Sequence, residues 1–147
     1  MAAFEHILIA TDGSARSEDA VRSGVVLART IGARITFFQA VPLHEPSEDL
    51  SALLESTRGD HAKAALAQTA EHLHFVARIA RVHGVECETA HAYSDHPADA
   101  IVEMATARKC DLIAMASHGR HGVERLLLGS ETRNVLGQCR IPVLVYR

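Results

Sequence analysis

The sequence has 147 residues, of which 48% are hydrophobic, enough for one aliphatic domain spanning 1–147 without metal or disulfide staples. Fifteen basic and eighteen acidic residues leave a net charge of −3, spread along the chain, which excludes the broad basic face that nucleic-acid binding needs. Three cysteines, Cys87, Cys110 and Cys139, lie far apart with no zinc or Cys-x-x-Cys spacing, and no 18 apolar residues run together; a soluble, untargeted protein of a reducing compartment is expected, with no membrane partner.

The first predicted strand is Ile7-Leu8-Ile9-Ala10, closed by the turn residues Asp12-Gly13-Ser14. A helix follows, with Ala20, Gly24, Leu27, Ala28 and Ile31 on one face and Gly32 as its cap. The second strand, Ile35 to Val41, stops at Pro42, and residues 42–59 read as a long acidic connection, a mobile insertion or a lid. Leu66, Ala70, Leu73, Ala77 and Ala80 mark a second helix ending at Gly84, before a weaker strand over 86–93. Pro97 opens a third helix with Ala100, Ile101, Met104 and Ala105 inward. Leu112-Ile113-Ala114-Met115-Ala116 is the fourth strand; Ser130 opens a short fourth helix; and Val143-Leu144-Val145-Tyr146 is the fifth strand.

This alternation, with apolar strands, predicts an α/β fold: a five-stranded parallel open sheet with helices on both faces, Rossmann-like. Two strand orders compete, 3-2-1-4-5 and 2-1-3-4-5. Ligands bind beyond the carboxyl ends of strands where the order reverses, and the two loops richest in glycine and small polar residues, 11–14 and 117–130, follow strands one and four. That favours 3-2-1-4-5. A phosphorylation receiver, with the other order, needs a lysine ending strand five, and the only lysines are Lys63 and Lys109.

The 117–130 segment leads through glycines into a helix start, where the amides of Gly129, Ser130 and Glu131 form a candidate phosphate cradle, although a plain surface loop capped by Ser130 is an equal reading. No GxxxxGK[ST] is present. Asp12 reads either as a turn residue or as a carboxylate for ribose hydroxyls, and the backbone at Ala40-Val41-Pro42 as a base contact. His118 and His121 are the two histidines worth testing; the other eight show no ligand spacing and read as mostly surface residues, and no metal site is expected. No catalytic residue is assigned, because no nucleophile and base stand at a recognisable spacing.

Ile-Ala-Thr-Asp-Gly-Ser near the start, Met-Ala-Ser-His-Gly-Arg-x-Gly and Leu-Leu-Leu-Gly-Ser further on, and the closing Ile-Pro-Val-Leu-Val-Tyr-Arg together resemble the universal stress protein family over the whole chain. Its ATP-binding branch carries Gly, two residues, Gly, nine residues, then Gly and Ser or Thr. Gly119, Gly129 and Ser130 match; Ala116 replaces the first glycine, which strand-like φ tolerates. The resemblance implies an adenine nucleotide alpha hydrolase-like fold and ATP, with or without Mg2+, as ligand. Ala10, Thr11, Asp12 and Val41 then line the adenosine end, and Met115, Ala116, Gly119, Arg120, Gly129, Ser130, Glu131 and Thr132 surround ribose and phosphates. Glu131 would repel phosphate if turned inward, and Arg120 and Arg125 would offset it. A cytoplasmic stress-signalling module is implied, with at most slow ATP hydrolysis or autophosphorylation. It would be a homodimer through the edge strand Pro142, Val143, Leu144, Val145 and Tyr146. The alternative is a same-fold interaction module that binds no nucleotide.

Overall fold

A computed structural model describes residues 3–43, 55–118 and 128–147, with residues 55–61 described by backbone only. Nine elements follow one another: β1 (His6–Ala10), α1 (Ala15–Ile31), β2 (Arg34–Val41), α2 (Glu55–Val82), β3 (Cys87–Tyr93), α3 (Pro97–Ala107), β4 (Leu112–Ala116), α4 (Ser130–Gln138) and β5 (Val143–Tyr146). The strands form one parallel sheet in the order β3-β2-β1-β4-β5, as the loop placement implied. β1 is central, pairing with β2 from His6↔Arg34 to Ala10↔Phe38 and with β4 from Ile7↔Leu112 to Ile9↔Ala114. The order reverses between β1 and β4, so their carboxyl ends part there.

Strand alternation builds two core layers. Ile7, Ile9, Ile35, Phe37, Leu112 and Ala114 face α1 and α2, joining Val21, Val25, Leu73 and Val76. Leu8, Ala10, Phe38, Ile113 and Met115 face the other way, joining Ala98, Ile101, Ala105 and Val135. Each such aliphatic side chain taken out of water contributes roughly 1.5–3 kcal/mol, which explains a fold with so few aromatics. Ser14 caps α1 by accepting the Ser17 N–H at 3.2 Å, and Gly32 ends it in the left-handed region at φ 75°, a conformation a side chain would strain. At Gly24 the helix lies so close to the sheet that an added Cβ would stand 2.6 Å from Ile9 Cδ1.

Several sequence expectations shift. Residues 55–59, read as part of the connection, are the first residues of α2, and 44–54 lie outside the described residues. On α2 the buried stripe is Thr69, Leu73, Val76, Ala77, Ile79 and Ala80, while Ala70 is exposed; the methyls of Val76 and Ile79 outweigh that of Ala70 in choosing the inward face. On α1 the expected Ala20, Gly24 and Ala28 are buried and are joined by Val21 and Val25, while Leu27 and Ile31 are half-buried. Met104 of α3 is likewise only half-buried. Of the cysteines, Cys110 is buried and Cys87 and Cys139 are half-buried, all three as free thiols. No helix among the described residues is long and apolar enough to cross a membrane.

Candidate functional site

At the end of β1 the chain turns sharply and its polar groups satisfy one another. The Thr11 N–H bonds the Phe38 carbonyl at 2.9 Å, and the Asp12 Oδ1 accepts the Ser14 N–H at 2.9 Å, the turn role foreseen for that carboxylate. Thr11 is buried, and its hydroxyl lies 3.1 Å from Ser17 Oγ and 2.7 Å from His72 Nε2 of α2. Sequence reading set His72 aside, because a single histidine 61 positions away carries no local signal.

Across the crevice, β4 passes into the helix start through a second set of bonds. The Ser117 N–H reaches the Tyr146 carbonyl at 2.6 Å, and the Gly129 N–H reaches the Ser117 carbonyl at 2.7 Å. The buried Thr132 hydroxyl lies 3.0 Å from the Ala116 carbonyl and 3.1 Å from that of Ser117. α4 is thereby pinned to the end of β4, with Ser130 exposed at its head and the amides of its first turn, which have no carbonyl within the helix to bond, beside the switch point. A Cβ on Gly129 would stand 3.0 Å from the Ser117 oxygen and 3.3 Å from His118 Cα, so a side chain there would press the backbone that follows β4 back by a few tenths of an ångström.

These bonds change several expected roles. The Gly129 amide, proposed as a phosphate donor, is spent on Ser117, leaving Ser130 and Glu131 as the candidate donors. Glu131 does not reach towards the crevice: its Oε2 accepts the Ala98 N–H at 2.9 Å and caps α3 in place of His96, which makes no side-chain cap. An open groove of about 410 Å³ beside it, lined by His96, Asp99, Arg133 and Gln138 among others, belongs to the α3–α4 face. Ala116 is a strand residue paired with Tyr146, and Lys109 is the only non-glycine at positive φ among the described residues, so its backbone does not call for glycine. The Ala10 and Met115 side chains belong to the α3–α4 core layer, and Val41 is buried with its carbonyl taken by the Ser94 N–H at 2.9 Å. Gly119, Arg120, His121 and Arg125 lie outside the described residues; His118 Nδ1 stands 3.1 Å from the Ser117 hydroxyl.

A second polar cluster lies at the opposite end of the sheet, around His6, which sequence reading counted among the mostly surface histidines. His6 is 4% exposed, with Nε2 2.7 Å from Thr36 Oγ1, whose hydroxyl donates to Glu88 Oε1 at 2.8 Å. Its Nδ1 is buried with no hydrogen-bond partner among the described residues. Burial first and the Arg34 charge second hold the imidazole pKa below its usual value, against the opposing pull of Glu88, Asp111 and the Arg108 carbonyl. Glu88 is held below the ordinary carboxylate range, chiefly by the Thr36 hydrogen bond. Burial pushes the Cys110 thiol up to about 11, so it is a poor nucleophile.

The universal stress protein family model matches residues 3–147. A universal stress protein of Thermus aquaticus is 33% identical over 151 residues, covering 98% of this chain and 99% of the relative. One from Methanocaldococcus jannaschii is 30% identical over 148 residues, covering 98% and 82%. Solved structures share the fold. UspA from Lactobacillus plantarum superposes with TM-score 0.75 at 23% identity over 100% of both chains. A universal stress protein in complex with cAMP gives 0.73 at 24%, covering 99% and 98%. One from Archaeoglobus fulgidus in complex with dAMP gives 0.63 at 21%, covering 100% of both. On its sequence and its fold alike, the chain belongs to the universal stress protein family.

Proposed function

We propose that the chain, acting as one universal stress protein domain, binds an adenine nucleotide in the crevice between the ends of β1 and β4. The observation that carries this reading is the pinning of α4 to β4 by Gly129 and Thr132, which keeps a helix N-terminus at the topological switch point. The solved relatives holding cAMP and dAMP support the ligand class. The donor set fits the group: first-turn amides and the exposed Ser130 hydroxyl suit phosphate oxygens, and the Asp12 carboxylate suits ribose hydroxyls. ATP, with Mg2+ on its phosphates, is the ligand of first choice; Gly119 and Arg120, which the family resemblance assigns to its phosphate end, lie outside the described residues.

Binding is read out by signalling rather than by chemistry. The crevice offers no assigned base, so turnover is at most slow hydrolysis or autophosphorylation. We place the protein in the cytoplasm as a stress-response module that works as a homodimer through Pro142 to Tyr146. Denaturing freshly purified protein and weighing the released small molecules should yield an adenine nucleotide, and calorimetry with ATP and Mg2+ should show saturable binding. Neither signal appearing would overturn the reading. It would leave an interaction module of the same fold, which the commitment of the Gly129 amide to Ser117 favours.

A further inference from the structure

The contacts around Thr11 form a chain whose direction is set from its far end. The Ser17 hydroxyl donates to the Ser14 carbonyl at 2.9 Å, so its oxygen meets Thr11 as an acceptor, and the 3.1 Å Thr11–Ser17 contact is a donation from Thr11. With its own hydrogen so used, Thr11 Oγ1 receives at its 2.7 Å contact with His72, which must therefore present Nε2–H. The relay thus runs from α2 through the β1–α1 loop to Ser14, the N-cap of α1. The same loop atoms hold the neighbouring amides. Gly13 N–H lies 3.4 Å from Thr11 Oγ1, Asp12 N–H 3.4 Å from Ser17 Oγ, and Ser14 N–H is on Asp12 Oδ1. Thr11 and Ser17 are buried, so the Thr11–Ser17 contact at the centre of the relay is shielded from water.

From this directed relay we propose that His72 is a positioning residue for the nucleotide crevice: by donating to Thr11 it holds the loop that presents Asp12, and so ties the site to α2. The Thr11 hydroxyl, fully engaged inside the protein, acts through the loop rather than on the ligand. The consequence for affinity rests on the nucleotide-binding reading above; the effect on loop order does not.

Two readouts on the full chain test it: amide hydrogen exchange at Gly13, Ser14 and Ser17 by NMR, and the Kd for ATP with Mg2+. His72→Leu keeps the bulk and removes the donor. Exchange at those amides should rise about tenfold while α3 amides stay as they were, and Kd should weaken about five- to tenfold, the scale of one lost hydrogen bond. His72→Gln, whose amide can donate from nearly the same point, should restore both to within about twofold, whereas the acceptor-only His72→Glu should not. Thr11→Val should match His72→Leu, and the double variant should add little to either. Gln failing as badly as Leu, or Leu leaving loop exchange unchanged, would overturn the relay. So would fully additive effects in the double variant. Wild-type protein that takes up no nucleotide would sink the functional reading instead, and loop exchange would then decide the positioning role alone.

Discussion

At position 129 a side chain is tight, because its Cβ would stand 3.0 Å from the Ser117 carbonyl oxygen and 3.3 Å from His118 Cα. Gly129→Val is expected to separate α4 from β4 and abolish nucleotide uptake, with a stability loss of about 1–3 kcal/mol from overpacking, measured by calorimetry and urea unfolding. Gly129 stood out through the glycine motif, and Thr132 only through the family resemblance. Their means was not, since an amide and a hydroxyl spent on carbonyls leave no trace in spacing. His6 makes the same point more sharply. One histidine before an apolar run carries no sign of burial, yet the strand places it against Thr36. Its pKa is lower in the fold than in the unfolded chain, so the unfolded state binds more protons and stability rises with pH. That contribution is fully present above 6.5, the unfolded value, and is lost as the pH falls below it towards the folded pKa. Glu88, also depressed, adds a second loss only as the pH falls below 4.5. Urea midpoints at about pH 7.5 and about pH 5.5 should diverge for the wild type and converge for His6→Gln, which keeps a donor to Thr36 without titrating.

At the scale of elements, α3 depends on α4. His96 supplies no cap, and the first N–H of α3, that of Ala98 after the N–H-less Pro97, is satisfied by a carboxylate 33 residues away. Glu131→Ala should therefore destabilise the protein by about 0.5–2 kcal/mol, the cost of an ordinary N-cap, with faster amide exchange concentrated in the first turn of α3. Loss of nucleotide affinity without any change in α3 would contradict this role. Helix ends marked by Gly32 and Gly84 were readable because positive φ restricts residue choice, and both glycines adopt it, at 75° and 70°. The start of α2 was not, because Glu55, Ser56 and Thr57 are polar and look the same in a first turn or in a connection.

For the whole molecule, the sheet ends in β5, which is half-buried along its length and paired on one side with β4. That apolar strand, the last of the sheet among the described residues, underlies the proposed homodimer. Light scattering at micromolar concentration should give twice the chain mass, and Val145→Lys should halve it, since a charge on an edge strand blocks pairing. A monomeric wild type would remove the dimer from the functional picture. The chain by itself determined the class of fold, because continuous apolar runs specify buried parallel strands, and the strand order, because right-handed crossovers left two and the polar loops after strands one and four chose between them. It also marked the turns after β1 and β4, because glycine and small polar residues gather where backbone must turn, although 119–127 lie outside the described residues. Only the tertiary structure decided which polar atoms remain available there. Hydrogen bonds such as Thr11 to His72 and Glu131 to Ala98 join positions 61 and 33 apart, and those distances exist only once the helices have packed on the sheet.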